Sequence, residues 1–173
     1  MRPYASAAVD PVTATVTIDR PREEVFAYLA DVANHQEFSD HYLKDWRLTR
    51  IDSVGHGAGA RFKVDAPLQR FSWADMTFVV VEPPHRLVAV GRGGKFNRVK
   101  TTQIWTLDVA AGGGTEVEYM VELEPALPTD KLVEVLTGQH GWFKRKVRKA
   151  MRRLQSILEE GEDRGPRATV AGL

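Results

Sequence analysis

The chain has no cysteine among its 173 residues, which removes disulfides, thiolate metal ligation and cysteine nucleophiles together and favours a reducing compartment. No stretch approaches the roughly 18 consecutive apolar residues of a membrane span, and the N-terminal MRPYASAAVD has no apolar centre of the kind a secretory signal needs. A cytoplasmic protein is the expectation. Charge of either sign is also not in excess, with 24 Lys and Arg against 23 Asp and Glu, so no overall field favours nucleic acid and no DNA partner is expected. What remains is a 43% hydrophobic chain of a length that suits one folded unit.

The apolar residues are placed with two different periods. Alternation at Val12, Ala14, Val16 and Ile18 predicts a strand. Asp19-Arg20-Pro21 then offers a cap and a helix-starting proline, and Val25, Phe26, Leu29, Val32 and Ala33 extend a helix to about Ala33. The polar stretch 34–43, NHQEFSDHYL, reads as a lid-like connector. Strands follow at Lys44 to Asp52, Ala60 to Ala66, Phe71 to Glu82, Arg86 to Gly91, Lys100 to Ala110 and Thr115 to Glu124. Turn residues such as Gly55-His56-Gly57, Pro83-Pro84 and Gly112-Gly113-Gly114 separate them. Short connections between strands allow only antiparallel neighbours, so the class is α+β with a seven-stranded antiparallel sheet.

A long amphipathic helix is predicted from Thr129 to about Glu160. Its stripe includes Leu132, Val135, Phe143, Val147, Met151 and Leu154, and the one-sided apolar sheet is the only surface able to cover it. Gly138 and Gly141 interrupt this helix, marking either a close approach of its backbone to a neighbour or a kink. The expected layout is an N-terminal extension over 1–11, one domain over 12–160 and a flexible tail over 161–173.

These features carry a resemblance. The proline-led helix with Val25, Phe26 and Asp31, the EPPHRL turn from Glu82 to Leu87 and the hairpin from Gly113 to Thr115 resemble the START-like (SRPBCC) helix-grip superfamily, in its polyketide cyclase/dehydrase and lipid-transport branch. The resemblance implies a sheet wrapped around a long C-terminal helix, with a cavity between them for a small hydrophobic molecule such as a lipid or polyketide. It transfers no catalytic residue, because that branch shares no single catalytic motif, and it implies no cofactor.

Residues on the apolar faces are the candidate ligand contacts: Met76, Phe78, Trp105, Leu107, Val117, Tyr119 and Phe143, each of which alternatively fills core. In the fourth strand Ala74, Met76, Phe78 and Val80 are read as inward. A bulge would bring Trp73 and Asp75 in instead, making a desolvated Asp75 an acid/base candidate. Tyr119 and His140 are the other catalytic candidates, and His140 also serves as a cavity-mouth contact. If these groups shuttle protons on a poly-β-ketone, an aromatase/cyclase results. If they do not, the chain is a binding or transport protein.

His35 and His41 lie close in sequence to Glu37 and Asp40, but without a firm i, i+4 helical pairing or a third ligand nearby no metal site is expected. Lys144 to Arg153 packs seven cations into ten residues, which is either a solvated helix face or a contact surface for RNA or an anionic membrane.

Overall fold

The computed structural model describes residues 9–68, 73–125 and 138–171. Its strands are β1 (Val12–Ile18), β2 (Leu43–Leu48), β3 (Gly59–Val64), β4 (Trp73–Glu82), β5 (Arg86–Gly93), β6 (Val99–Val109) and β7 (Thr115–Glu124). They form one antiparallel sheet in the order β1-β7-β6-β5-β4-β3-β2. From β2 to β7 each strand pairs with its successor, and β1 closes against the last one, Val12 opposite Val121 and Ile18 opposite Thr115. The chain therefore crosses from one edge of the sheet to the other between β1 and β2. It does so through α1 (Arg22–Ala30), a 3-10 turn (Val32–Asn34) and α2 (His35–Ser39).

The long helix, α3 (Gln139–Glu160), buries Val147, Ala150, Met151, Leu154 and Ile157, as its periodicity predicts, and packs along β1. Its C-terminal carbonyls are met by a cation: Arg20 Nε donates to Leu158 O at 2.8 Å and its Nη2 to Glu159 O at 3.0 Å. That satisfies acceptors which the last helical turn leaves unpaired and sits favourably in the negative end of the dipole. The α+β helix-grip architecture is thus as expected.

Four local expectations change. First, α1 ends at Ala30, because Asp31 turns extended and caps the following 3-10 turn by accepting from Ala33 N–H at 3.1 Å. Second, the stretch read as a lid is packed inside the molecule: His35, Glu37, Phe38 and Ser39 are all buried. Third, residues 126–137, which include the expected first turns of the long helix, lie outside the described residues. The described helix begins directly after Gly138, whose φ of 64° is left-handed. A methyl added there would meet nothing within 4 Å among the described residues.

Fourth, residues 161–171, expected to be flexible, lie along the helical layer as a strap. Gly165 N–H bonds Glu37 O, Ala168 N–H bonds Ala33 O, and Thr169 O accepts from Leu48 N–H on edge strand β2. Arg164 pairs with Glu37 at 2.8 Å and Arg167 with Asp31. The polar composition that made this segment look unstructured is the composition of its ion pairs. Among the described residues, no helix is long and apolar enough to cross a membrane.

Candidate functional site

The inward face of the sheet is set by parity. On β6 that face carries Leu107, Trp105, Gln103 and Thr101, and on β7 Val117, Tyr119, Val121 and Leu123. β4 presents Ala74, Met76 and Phe78, as favoured, but not Val80: the register shift after Phe78 turns Val81, opposite Leu87, to the core in its place. Trp73 points to the outer face, where Arg61 and Lys63 each lie 4.9 Å from its ring. A bulge does occur in β4, between Phe78 and Val80, too far along to turn Trp73 inward.

At one end of this face the side chains become too small to fill the space under α3. Gly93 of β5 pairs with Ala74 of β4 and Val99 of β6. A methyl at Gly93 would lie 3.0 Å from Ala74 Cβ, and one at Gly91 only 1.8 Å from Asp75 O, so β5 is held to glycine where it approaches β4. The result is a cavity of about 430 Å³, roofed by Trp142 and Phe143 of α3 and walled by Phe62, Ala74, Gly93 and Val121.

Its polar groups are few and uncharged at the inner wall. Tyr119 donates its hydroxyl to Gln103 Oε1 at 2.8 Å, and the indole of Trp105 stacks behind the Tyr119 ring at 4.6 Å and 20°. Tyr42, buried, lies edge-on to Trp142 and Phe143 with centroids 6.3 and 6.1 Å away. Burial pushes both phenols above their ordinary value, and for Tyr119 the neighbouring Tyr42 adds to it. Both therefore stay neutral donors. Thr101 also lines the cavity, and its hydroxyl is buried without a partner among the described residues. Among the described residues, the lining residues with a charge are Asp75 and Lys95; Asp75 Oδ1 is engaged at 3.0 Å by Arg92 N–H.

Of the residues singled out from sequence, Tyr119, Phe143 and Asp75 line this cavity. Met76, Phe78, Trp105, Leu107 and Val117 are fully buried in the filled part of the core, beside the cavity and not facing it. His140 is partly buried and is not among the lining residues. The sequence reading missed Tyr42, which it had placed in a connector, together with Gln103 and Thr101. The latter two were legible: they continue the inward parity of Leu107 and Trp105 by two and four positions.

The connector residues considered for metal binding spend their donor atoms otherwise. His35 Nε2 meets Leu29 O at 2.8 Å with its ring among Phe38, Phe78 and Trp105, and burial lowers its pKa to about 4. His41 Nε2 meets Lys146 O at 3.2 Å, while its Nδ1 accepts from Arg153 at 3.2 Å. Burial first, then the nearby cations, lowers its pKa to about 4. Glu37 accepts from Tyr28 at 2.6 Å and Arg164 at 2.8 Å, and Asp40 pairs with Arg153. Among the described residues no group of three such side chains is arranged to hold a metal ion.

The basic segment is likewise divided. Arg153 is an internal strut reaching Asp40, Phe38 O and Asp163 O, and Lys146 lies over the Trp142 ring at 5.7 Å. Arg145, Arg148, Lys149 and Arg152 form the exposed part.

Solved structures share this architecture. The KanY protein, determined by NMR, aligns with a TM-score of 0.67 at 17% identity, over 86% of this chain and 96% of its own. A protein from Thermus thermophilus gives 0.65 at 15%, over 86% and 96%. Norcoclaurine synthase from Thalictrum flavum gives 0.59 at 11%, over 86% and 89%. At these identities the likeness is one of fold. No curated protein matches the chain in sequence. A family model does: residues 11–159, from the first strand to the end of α3, match polyketide cyclase / dehydrase and lipid transport, and the chain belongs to that family.

Proposed function

We propose that this protein binds a small, uncharged hydrophobic molecule in the cavity between the sheet and α3. The observation that carries the reading is a cavity of about 430 Å³ with mainly apolar walls and a few convergent polar groups, which is the size and chemistry of a small-molecule site. Burial of a ligand there is driven by the apolar area it removes from water, on the order of 25 cal/mol per Å². The family's description, which includes lipid transport, agrees with such a role.

Binding is favoured over proton-transfer chemistry by the inner wall itself. A general acid or base works best with a pKa near the operating pH. The inner groups are two tyrosines pushed away from that range, an amide and a hydroxyl. The aromatase/cyclase alternative would have to rely on Asp75 at the rim, whose carboxylate is already engaged by Arg92 N–H.

Native mass spectrometry on protein purified without detergent, paired with Nile red titration, tests the reading. A co-purifying adduct of small-molecule mass, or saturable dye binding that a hydrophobic competitor reverses, is expected. Absence of both would sink it.

A further inference from the structure

Strand β1 is bonded on one side only. It pairs with β7 from Val12 to Ile18, and among the described residues nothing bonds the backbone of Val12 to Thr17 on the other side. Every second residue of such a strand points its N–H and C=O away from the sheet, where one more strand can meet them. Alongside lies a groove of about 390 Å³ between β1 and α3, lined by Thr13 to Val16 on the strand and by Arg148, Met151 and Arg152 on the helix. Both arginines are exposed, and neither has an ion pair, hydrogen bond or ring contact among the described residues.

Spacing and parity define what fits there. Arg148 and Arg152 are four residues apart on α3, about 6 Å, and side chains on one face of a strand repeat at roughly 6.6 Å. A strand laid against β1 turns alternate side chains inward, beside Ala14 and Val16 in the groove of the two arginines, and the others outward, beside Thr13, Thr15 and Thr17. Carboxylates at two successive inward positions therefore match the two guanidinium groups in spacing and in charge. Other occupants match less well. A second copy of this chain pairing edge to edge would set its own Arg148 and Arg152 against these, like charge against like. A nucleic-acid strand would bring phosphates beside Glu116 and Glu118, which are exposed on β7 opposite Thr17 and Thr15.

We propose that β1 and α3 receive an extended acidic segment of a partner polypeptide, which adds to the open edge of β1 as an eighth strand. Its aspartates or glutamates at positions i and i+2 pair with Arg148 and Arg152, and small or β-branched residues between them lie beside the threonines. The backbone bonds supply affinity for any extended chain, and the arginines select an acidic one. The groove shares no lining residue with the cavity, so neither reading depends on the other.

A dye-labelled peptide of about nine residues alternating threonine and glutamate, titrated against the intact protein by fluorescence anisotropy at low salt, tests this. Saturable binding is expected, weakened about fivefold or more when glutamine replaces glutamate. Strand pairing is read separately from charge by N-methylation, because only alternate residues of an added strand aim their N–H at β1. Of two peptides, one N-methylated at its threonines and one at its glutamates, one should lose about tenfold in affinity and the other should keep it. In the double variant Arg148→Glu, Arg152→Glu, checked for a wild-type-like thermal transition, the glutamate peptide should bind about tenfold more weakly. A peptide with lysine for glutamate should bind that variant more tightly than it binds the wild type. The wild-type titrations decide the matter without any variant. Equal affinity of the two N-methylated peptides, undiminished binding of the glutamine peptide, or no saturable binding at millimolar peptide overturns the proposal. A uridine oligonucleotide of the same length that competes as well as unlabelled peptide overturns it too, because the groove then reads charge without the strand.

Discussion

One face of one sheet does two different jobs here. Strand β6 runs through both, carrying Leu107 and Trp105 at one end and Gln103 and Thr101 at the other. At the first end the inward side chains are large, with Phe78, Leu87 and Val117 beside them, and α1 and α2 lay Leu29, His35 and Phe38 over the top. At the second end the neighbouring strands offer Ala74 and Gly93, and the roof is α3. The alternation that specifies a buried face is the same throughout. Side-chain volume, together with which helix lies above, decides whether that face becomes core or container.

The largest expected effect comes from breaking the filled end. Trp105→Ala removes a fully buried indole that touches His35, Phe78 and Tyr119. A loss of roughly 3–5 kcal/mol in denaturant unfolding is expected. A loss under about 1 kcal/mol would mean the filled end is not what anchors the fold.

The next effect is pH-dependent and belongs to the same end. His35 titrates near 6.5 when unfolded and near 4 when folded, because burial opposes its charge. Its folded-state value is depressed, so its contribution is intact above about 6.5 and is lost as pH falls toward 4, with a slope of up to about 1.4 kcal/mol per unit. His35→Phe removes that slope. Unfolding midpoints of the two proteins measured at neutral pH and at about pH 4.5 should diverge in the acid range. Parallel pH curves would remove His35 as the source.

The smallest effect on stability is expected at the hollow end. Ala74→Leu places extra carbons in open volume and should change stability by less than about 1.5 kcal/mol, while abolishing Nile red binding. Strong destabilisation with binding retained would show the space to be otherwise used.

The strands were legible from sequence because alternation, turn residues and burial all follow the backbone period, so β7 was located from Thr115 to Glu124, as observed. The cavity was less so. Large apolar residues attract attention, yet Met76, Phe78, Trp105, Leu107 and Val117 are what fill the sheet. The hollow is marked by what is small, Ala74 and Gly93, and by polar Gln103 on an inward position. Glu37 and His35 were read as lid residues because their polarity argued for solvent. In the fold their polar atoms are matched individually, Glu37 by Tyr28 and Arg164, His35 by Leu29 O, and such matches bridge residues that sequence proximity does not link. The strap escaped notice for the same reason.

That strap bears on one open edge of the sheet. β2 is an outer strand of the sheet, and an open strand edge is a template for pairing with another chain. Thr169 takes up Leu48 N–H there at 2.9 Å, while Arg164 and Arg167 fasten the segment to the helices. Chains ending at Glu160 would present this edge uncovered, and light scattering during heating should register them clustering earlier than the intact protein. Such a result would make residues 161–171 a cover for an edge that the strand pairing alone leaves open.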